Sequence, residues 1–216
     1  MTRREVTTGA LAFAAASASG AAMAAEADVI ALPDPQKQGG MPLMDALRLR
    51  HSTREYTSRP LPPQILSNVL WAAFGINRPS GDRTAPYWRH VMVMDIYVAM
   101  ADGVWFYDPE KHRLTRYMDA DIRAQTGFQD FVGTAPLNLI YVAHGERMGD
   151  IPAEDRRLYA SVDAAFIGQN VYLYCAAEGL ATVFRGAVDT KALGATLKLG
   201  AGEFVTFAQT VGYARS

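Results

Sequence analysis

The longest helical pattern in the chain constrains its fold most, because nearly every side of this helix is apolar. It runs from Ala153 to Glu178, and Gly179 supplies the stop. Alanine and tyrosine flank its main stripe on nearly all sides, and that stripe consists of Tyr159, Val162, Phe166, Gln169 and Leu173. Such a composition predicts a helix that is buried almost all round. We therefore expect other elements to pack around it.

Shorter patterns predict strands and helices that alternate around this helix. Apolar runs predict strands at 90–100, 104–107, 137–143, 181–188 and 203–213. Helical spacing of apolar residues predicts helices at 41–50, 62–75 and 190–198, with shorter ones at 119–125 and 128–134. Asp102-Gly103 is a strong hairpin signal. Because a hairpin interrupts the alternation, we expect an α+β fold with a mixed sheet surrounded by helices.

The N-terminus differs in composition from the rest of the chain. Arg3-Arg4 precedes residues 9–25, which are almost all Ala, Gly, Ser, Leu, Phe and Met, and Ala22-Met23-Ala24 fits a signal-peptidase site. The alternative is an alanine-rich helix or a membrane anchor, but the stretch contains too much Ala, Ser and Gly for an anchor. Residues 1–27 resemble a twin-arginine export signal, which implies a periplasmic location and hints at a cofactor inserted before export.

The chain after this signal is expected to form one domain. An extended leader is predicted at 28–41, where prolines and glycines recur, and the domain itself at 42–216. Half of the residues are apolar and 20% are charged, which suits a single sizeable core. No other apolar run is long enough to span a bilayer, so we expect no stable membrane insertion of the mature chain.

Composition and motifs exclude several functions. The net charge of −1 and the lack of a long basic run argue against nucleic acid as a partner. Cys175 is the only cysteine, so internal disulfides and cysteine-based metal clusters are excluded, and a buried, inert thiol is expected. The histidines at 51, 90, 112 and 144 lack metal-ligand spacing, and the sequence contains no P-loop, no dinucleotide-binding glycine motif and no serine-hydrolase elbow.

Arginines at three separated places remain as candidates for ligand binding. Arg50 to Tyr56 combines two guanidiniums, an imidazole and a hydroxyl, which suit a phosphate; a solvated helix end is the alternative. Arg83 lies in a polar loop. Arg185-Gly186 ends an apolar strand, where glycine permits close approach of a ligand, and a solvated surface arginine is the alternative.

The order of these motifs resembles the FMN-dependent nitroreductase superfamily. The resemblance covers roughly residues 42–213. It is closest to the subgroup that includes the thiazoline/oxazoline-forming peptide dehydrogenases. The segments that carry it are Arg50–Tyr56, Trp71–Pro79, Arg83–Pro86, Asp163–Asn170, Glu178–Thr182 and Val211–Tyr213. It implies an α+β homodimer with a mainly antiparallel sheet and two FMN molecules at the interface.

The resemblance also implies roles for individual residues. Arg50, His51 and Ser52 would hold the FMN phosphate and ribityl chain. Arg54 would lie at the flavin pyrimidine edge, where a cation stabilises the reduced flavin. The remaining expected contacts are Thr84, Ala85 and Pro86 from the partner subunit, Arg185 and Gly186 near flavin N5, and Gln129 at the pyrimidine.

The chain also departs from this family's pattern. Relatives carry a small residue, Asn and Gln after Ala-Pro, whereas Tyr87, Trp88, His90 and Met92 occupy this stretch here. Arg215 is the only candidate for the C-terminal cation that relatives place on the phosphate. The resemblance implies hydride transfer through flavin N5 to a small electrophilic acceptor, with a redox protein as a possible donor. A flavin carrier with little turnover, or a structural or regulatory dimer without FMN, are the alternatives.

Overall fold

A computed structural model describes residues 28–215 of the chain. Its centre is a seven-stranded sheet with the order β1-β4-β3-β2-β5-β7-β6. All six strand pairings are antiparallel, which confirms the predicted mainly antiparallel α+β fold. The strands are β1 (Val29–Ala31), β2 (Met94–Met100), β3 (Gly103–Asp108), β4 (Arg113–Met118), β5 (Leu137–His144), β6 (Ala181–Arg185) and β7 (Glu203–Gly212). The helices are α1 (Leu43–Leu49), α2 (Pro63–Phe74), α3 (Ala153–Ala177) and α4 (Thr190–Thr196).

The core lies on both faces of β5, whose eight residues are all buried. Side chains alternate between the two faces of a strand. Leu139 and Tyr141 therefore join the cluster that contains α2 and α3. Ile140 and Val142 point the other way and pack with Leu193 of α4. The apolar run that predicted a buried strand thus has helices over both of its faces.

The predicted burial of the α3 stripe is wrong for the single chain. Tyr159, Val162 and Phe166 are 39%, 40% and 46% exposed. The helix instead turns small side chains toward the sheet, and a Cβ at Gly168 would overlap the ring of Phe184. Because only glycine allows this close approach, the contact fixes which side of the helix faces the sheet and leaves Tyr159, Val162 and Phe166 outside, which the sequence pattern did not distinguish.

The remaining elements follow the expectations with local differences. The Asp102-Gly103 hairpin forms between β2 and β3 as predicted. β4 was not predicted, and the expected helices at 119–125 and 128–134 are single turns of 3-10 helix at Arg123–Gln125 and Asp130–Gly133. The strand predicted at 181–188 ends at Arg185.

The predicted extended leader contains β1 and then crosses α2. Side chains of α2 hold it there: the Ser67 hydroxyl donates to the Pro33 carbonyl at 2.6 Å, and Asn68 exchanges two hydrogen bonds with Gln36. The predicted export signal lies outside the described residues. No helix between residues 28 and 215 is long and apolar enough to cross a membrane.

Candidate functional site

The Arg50–Tyr56 segment leaves α1 in an extended conformation and lies between β6 and the end of the chain. The Thr53 N–H donates to the Thr182 carbonyl of β6 at 3.0 Å. The Arg215 N–H donates to the Glu55 carbonyl at 3.1 Å. The structure therefore brings the C-terminal arginine beside the first arginine motif, although 160 or so positions separate them in the sequence.

Tyr172 of α3 organises the first part of this segment. Its hydroxyl accepts a hydrogen bond from the Phe184 N–H at 2.9 Å and shares a second one with the Ser52 hydroxyl at 2.7 Å. The guanidinium of Arg50 lies over the Tyr172 ring, 5.2 Å from its centre. A cation that stacks on an aromatic ring keeps its N–H donors free at its edge. Tyr172 thus holds Arg50 and Ser52 close to each other.

His51 makes a separate contact with α1. Its Nδ1 lies 2.8 Å from the Leu49 carbonyl, and the ring is exposed. It lines a recess of about 260 Å³ together with Thr53 and Tyr172. The structure therefore places His51 next to the arginine motif, on a recess that Tyr172 also lines.

A second, larger groove lies along Arg54. It has a volume of about 650 Å³, and Phe128, Gln129 and Arg215 line it as well. The side-chain oxygen of Gln129 is buried and has no hydrogen-bond partner among residues 28–215. Asp130 is also at the groove, yet neither arginine forms an ion pair within the described part of the chain. The groove thus combines available cations with an unused acceptor.

Arg185 closes β6 behind this groove, and its side chain is only 4% exposed. The guanidinium donates to the Thr126 carbonyl at 2.6 Å, to Asn138 Oδ1 at 3.0 Å and to Thr210 Oγ1 at 3.2 Å. The alternative of a solvated surface arginine is therefore wrong. Sequence reasoning missed the three partners, because each comes from a different segment.

Gly186 follows Arg185 and is exposed at the end of the strand. A Cβ built there would meet only the Phe207 ring, at 3.5 Å. Open space on a glycine backbone permits close approach of a planar ligand. This is the position expected near the reactive centre of a flavin.

Thr84, Ala85 and Pro86 lie elsewhere in the chain. Thr84 is fixed to the end of α2, where its N–H donates to the Gly75 carbonyl at 2.9 Å. Ala85 is fully buried. Among the described residues, no hydrogen bond joins this loop to the Arg50–Tyr56 segment. One chain alone does not bring the two predicted parts of the site together.

Asp82 organises the divergent part of this loop, and sequence reasoning did not single it out. Its carboxylate accepts hydrogen bonds from Tyr87 at 2.5 Å and from Ser80 at 2.7 Å, and His90 lies 3.3 Å away. These bonds, led by that of Tyr87, hold the pKa of Asp82 well below its usual value. Two of the departures from the expected motif, Tyr87 and His90, therefore serve to shape the loop.

Trp88 joins the loop to α3. Its backbone N–H donates to the carboxylate of Asp163 at 3.0 Å, and the centre of its ring lies 6.0 Å from the centre of the Tyr159 ring. Burial raises the pKa of Asp163 to about 6, and the hydrogen bond from Trp88 opposes this shift in part. The third arginine candidate, Arg83, is buried beside Phe74, and its Nη1 has no partner within the described region.

Comparison with known proteins decides the family. The nitroreductase family model matches residues 47–213. The chain belongs to the nitroreductase family. A Methanocaldococcus jannaschii protein named as a nitroreductase is 33% identical over 180 residues, covering 79% of this chain and 89% of that protein.

Solved structures of the nitroreductase family agree with the fold. A crystal structure of a Ralstonia eutropha JMP134 protein, named as a nitroreductase, is 42% identical in sequence and has a TM-score of 0.83. The match covers 98% of this chain and 98% of that chain. A Vibrio harveyi NADPH:FMN oxidoreductase in complex with NAD+ is 20% identical with a TM-score of 0.60, covering 81% of this chain and 69% of that one. The second likeness concerns the fold alone.

Proposed function

We propose that this nitroreductase-family protein is an FMN-dependent oxidoreductase that passes hydride to a small electrophilic acceptor. The observation that carries the proposal is the groove beside Arg54. Arg54, Arg215 and Gln129 line it; the two arginines make no ion pair in the described residues, and the buried side-chain oxygen of Gln129 has no partner there. A buried acceptor without a partner is costly, and a ligand N–H would satisfy it. The donors and acceptors therefore fit a flavin nucleotide.

The phosphate end of FMN would lie at Arg50 and Ser52. Arg50 is oriented by its stacking on Tyr172 and can offer two donors to phosphate oxygens. The Tyr172 hydroxyl accepts from a backbone N–H, so its own proton can serve Ser52 Oγ and leave the serine proton free to donate outward. His51 would contact the ribityl side, and Arg215 would add the C-terminal cation.

The flavin end would lie in the groove, with Arg54 and Gln129 at the pyrimidine and the open backbone of Gly186 near N5. FMN, when bound, supplies the hydride chemistry. Gln129 would orient the ring, because its free oxygen accepts only from an N–H of the ligand. Arg54 would favour the negative charge of the reduced ring.

We propose further that two copies form a homodimer through α1 and α3. These helices expose large apolar side chains that a monomer would leave in water, and these are Leu43, Met44, Leu47, Leu158, Tyr159, Val162 and Phe166. A second copy seated there would supply the Thr84–Pro86 loop that one chain keeps away from its own arginine motif. The exposed stripe of α3 supports this arrangement.

The biological setting extends the proposal. Residues 1–27 would direct export of the folded, FMN-loaded protein to the periplasm. Nicotinamide nucleotides are scarce there, so the electron donor would be another redox protein. The substrate would be a small electrophilic molecule that accepts the hydride.

Absorbance of the protein purified from its own periplasm tests the function. A flavin band that dithionite bleaches and a nitroaromatic restores is the expected result. A band that bleaches but that no acceptor restores would indicate a carrier instead. Protein that is colourless and that added FMN does not reconstitute would contradict flavin binding altogether. Recovery of the protein from the cytoplasm alone would contradict the export proposal.

A further inference from the structure

Arg185 is an arginine whose charge has no acidic partner. Its side chain is almost fully buried, and every acceptor that it uses is neutral: a carbonyl, an amide oxygen and two hydroxyls. Burial lowers its pKa to about 10, so the guanidinium stays charged at neutral pH. No ion pair joins Arg185 to a carboxylate in residues 28–215.

The nearest ionisable neighbour does not neutralise this charge. Tyr56 is buried beside Arg185, and burial raises the pKa of its phenol far above the usual value. The phenol therefore stays neutral, with its proton donated to the Thr53 carbonyl at 2.6 Å. A positive charge thus remains in a low-dielectric interior, where its field is screened little.

The charge lies directly beneath the proposed flavin groove. Thr126, which accepts from Arg185 Nη1, is followed by Gly127, Phe128 and Gln129, and the last two line the groove. A Cβ built at Gly127 would overlap Arg185 Nη1 and lie 2.8 Å from the free oxygen of Gln129. The guanidinium therefore lies close to the side-chain oxygen of Gln129, a residue that lines the groove.

We propose that the buried charge of Arg185 raises the reduction potential of the flavin bound in this groove. The inference rests on the proposed function, and it assigns to Arg185 an electrostatic role without contact to the ligand. Two-electron reduction with uptake of one proton leaves one negative charge on the ring. A fixed cation stabilises that charge without reorganising, and more strongly than an exposed arginine such as Arg54, which water and salt screen.

The midpoint potential of bound FMN, measured against redox dyes, tests this role. Arg185→Met removes the charge. Asn138→Asp leaves Arg185 unchanged but neutralises its charge, because a carboxylate oxygen replaces the amide oxygen that accepts from Arg185 Nη2 at 3.0 Å. Arg185→Lys keeps the charge, and Asn138→Leu disturbs the same network without adding one. The two matched controls separate a loss of charge from a loss of packing.

The expected result is a lower potential in the first two variants and an unchanged potential in the two controls. If the charge favours reduced over oxidised FMN about tenfold, its loss lowers a two-electron potential by about 30 mV. Should Arg185→Met fail to fold, Asn138→Asp carries the test with the native arginine in place.

The potentials and an FMN titration together separate a failure of the Arg185 role from a failure of FMN binding. Equal potentials in the wild type, Arg185→Met and Asn138→Asp, with FMN bound to each, would overturn the role of Arg185 and leave the proposed function intact. A shift of the same size in Asn138→Leu would overturn it too, because packing would then be the cause. A wild-type chain that binds no FMN in a fluorescence titration would overturn both.

Discussion

A buried basic side chain lies at each end of β5, and the surroundings of the two side chains differ. At one end, Asn138 helps to hold Arg185 among neutral acceptors only. At the other, His144 is enclosed by carboxylates, with Asp95 at 2.6 Å, Glu203 at 3.0 Å and Glu146 at 3.4 Å. A charge that lies beside its counter-charges stabilises the fold. A charge held by neutral groups alone is not neutralised, so its field acts on any group that lies beside it.

This contrast fits the position of the proposed site. Arg185 lies close to Gln129, which lines the groove with Arg54, whereas His144 is surrounded by acidic side chains. Buried ionic groups are often retained at a cost in stability when they serve another purpose.

Gly127→Ala should have the largest effect on stability. The added methyl would overlap Arg185 Nη1 and break hydrogen bonds of a buried charge. We expect unfolding to become easier by about 3–5 kcal/mol, measured by urea denaturation. Gly186→Ala is the matched control, because its methyl meets only Phe207 at 3.5 Å and should cost less than about 1 kcal/mol. Equal losses in both variants would contradict the close packing at Gly127.

Arg50→Ala should weaken FMN binding through loss of a charge-assisted phosphate contact. The expected cost is about 1.5–3 kcal/mol, or at least tenfold in affinity. Fluorescence quenching of FMN measures it. Arg59→Ala is a matched control, since Arg59 also stacks on a tyrosine, 4.3 Å from the ring centre of Tyr213, outside the predicted motif. An unchanged affinity of Arg50→Ala would refute the phosphate assignment.

His144→Gln should make stability less dependent on pH. Burial by itself would lower the pKa of His144, but the hydrogen bond with Asp95 and the charges of Asp95 and Glu203 outweigh it and raise the pKa. The stabilisation is therefore full below the unfolded pKa of about 6.5 and is lost as pH rises through the higher folded value. We expect a loss of about 1–3 kcal/mol at pH 6 that shrinks by pH 8.

Denaturation curves at several pH values measure this difference. Gln at position 144 keeps a polar side chain without the titration, so a constant deficit from pH 6 to pH 8 would show that folding does not raise the pKa of the imidazole. Glu203→Gln removes one counter-charge of His144. It should therefore lower the pH at which the stabilisation by His144 is lost.

Local patterns predicted the fold well, because strand, hairpin and helix signals lie within short windows. The buried strand at 137–143 and the hairpin at Asp102-Gly103 are examples. The orientation of α3 could not be predicted in this way. Both of its faces are apolar, and the contact of Gly168 with Phe184, which selects the buried face, joins two separate segments.

The site was predictable only in part for the same reason. Arg50, Ser52 and Arg54 stand together in the sequence, so their chemistry could be inferred before their positions were known. The burial of Arg185 depends on Thr126, Asn138 and Thr210, which no local pattern connects. Asp82 gave no signal either, because its partners are scattered over a loop.

Asp163→Asn should have the smallest effect, and it concerns a buried carboxylate that accepts a hydrogen bond from the backbone N–H of Trp88. Burial raises the pKa of Asp163 to about 6, so the folded state holds a proton that the unfolded state releases at lower pH. The wild type therefore loses stability as pH rises from about 4 through 6, and the neutral amide does not. We expect the variant to gain about 1–2 kcal/mol on the wild type between pH 4 and pH 8, measured by urea denaturation. A gap that stays constant over this range would show that Asp163 titrates normally, and hence that its carboxylate is more hydrated in solution than its burial implies.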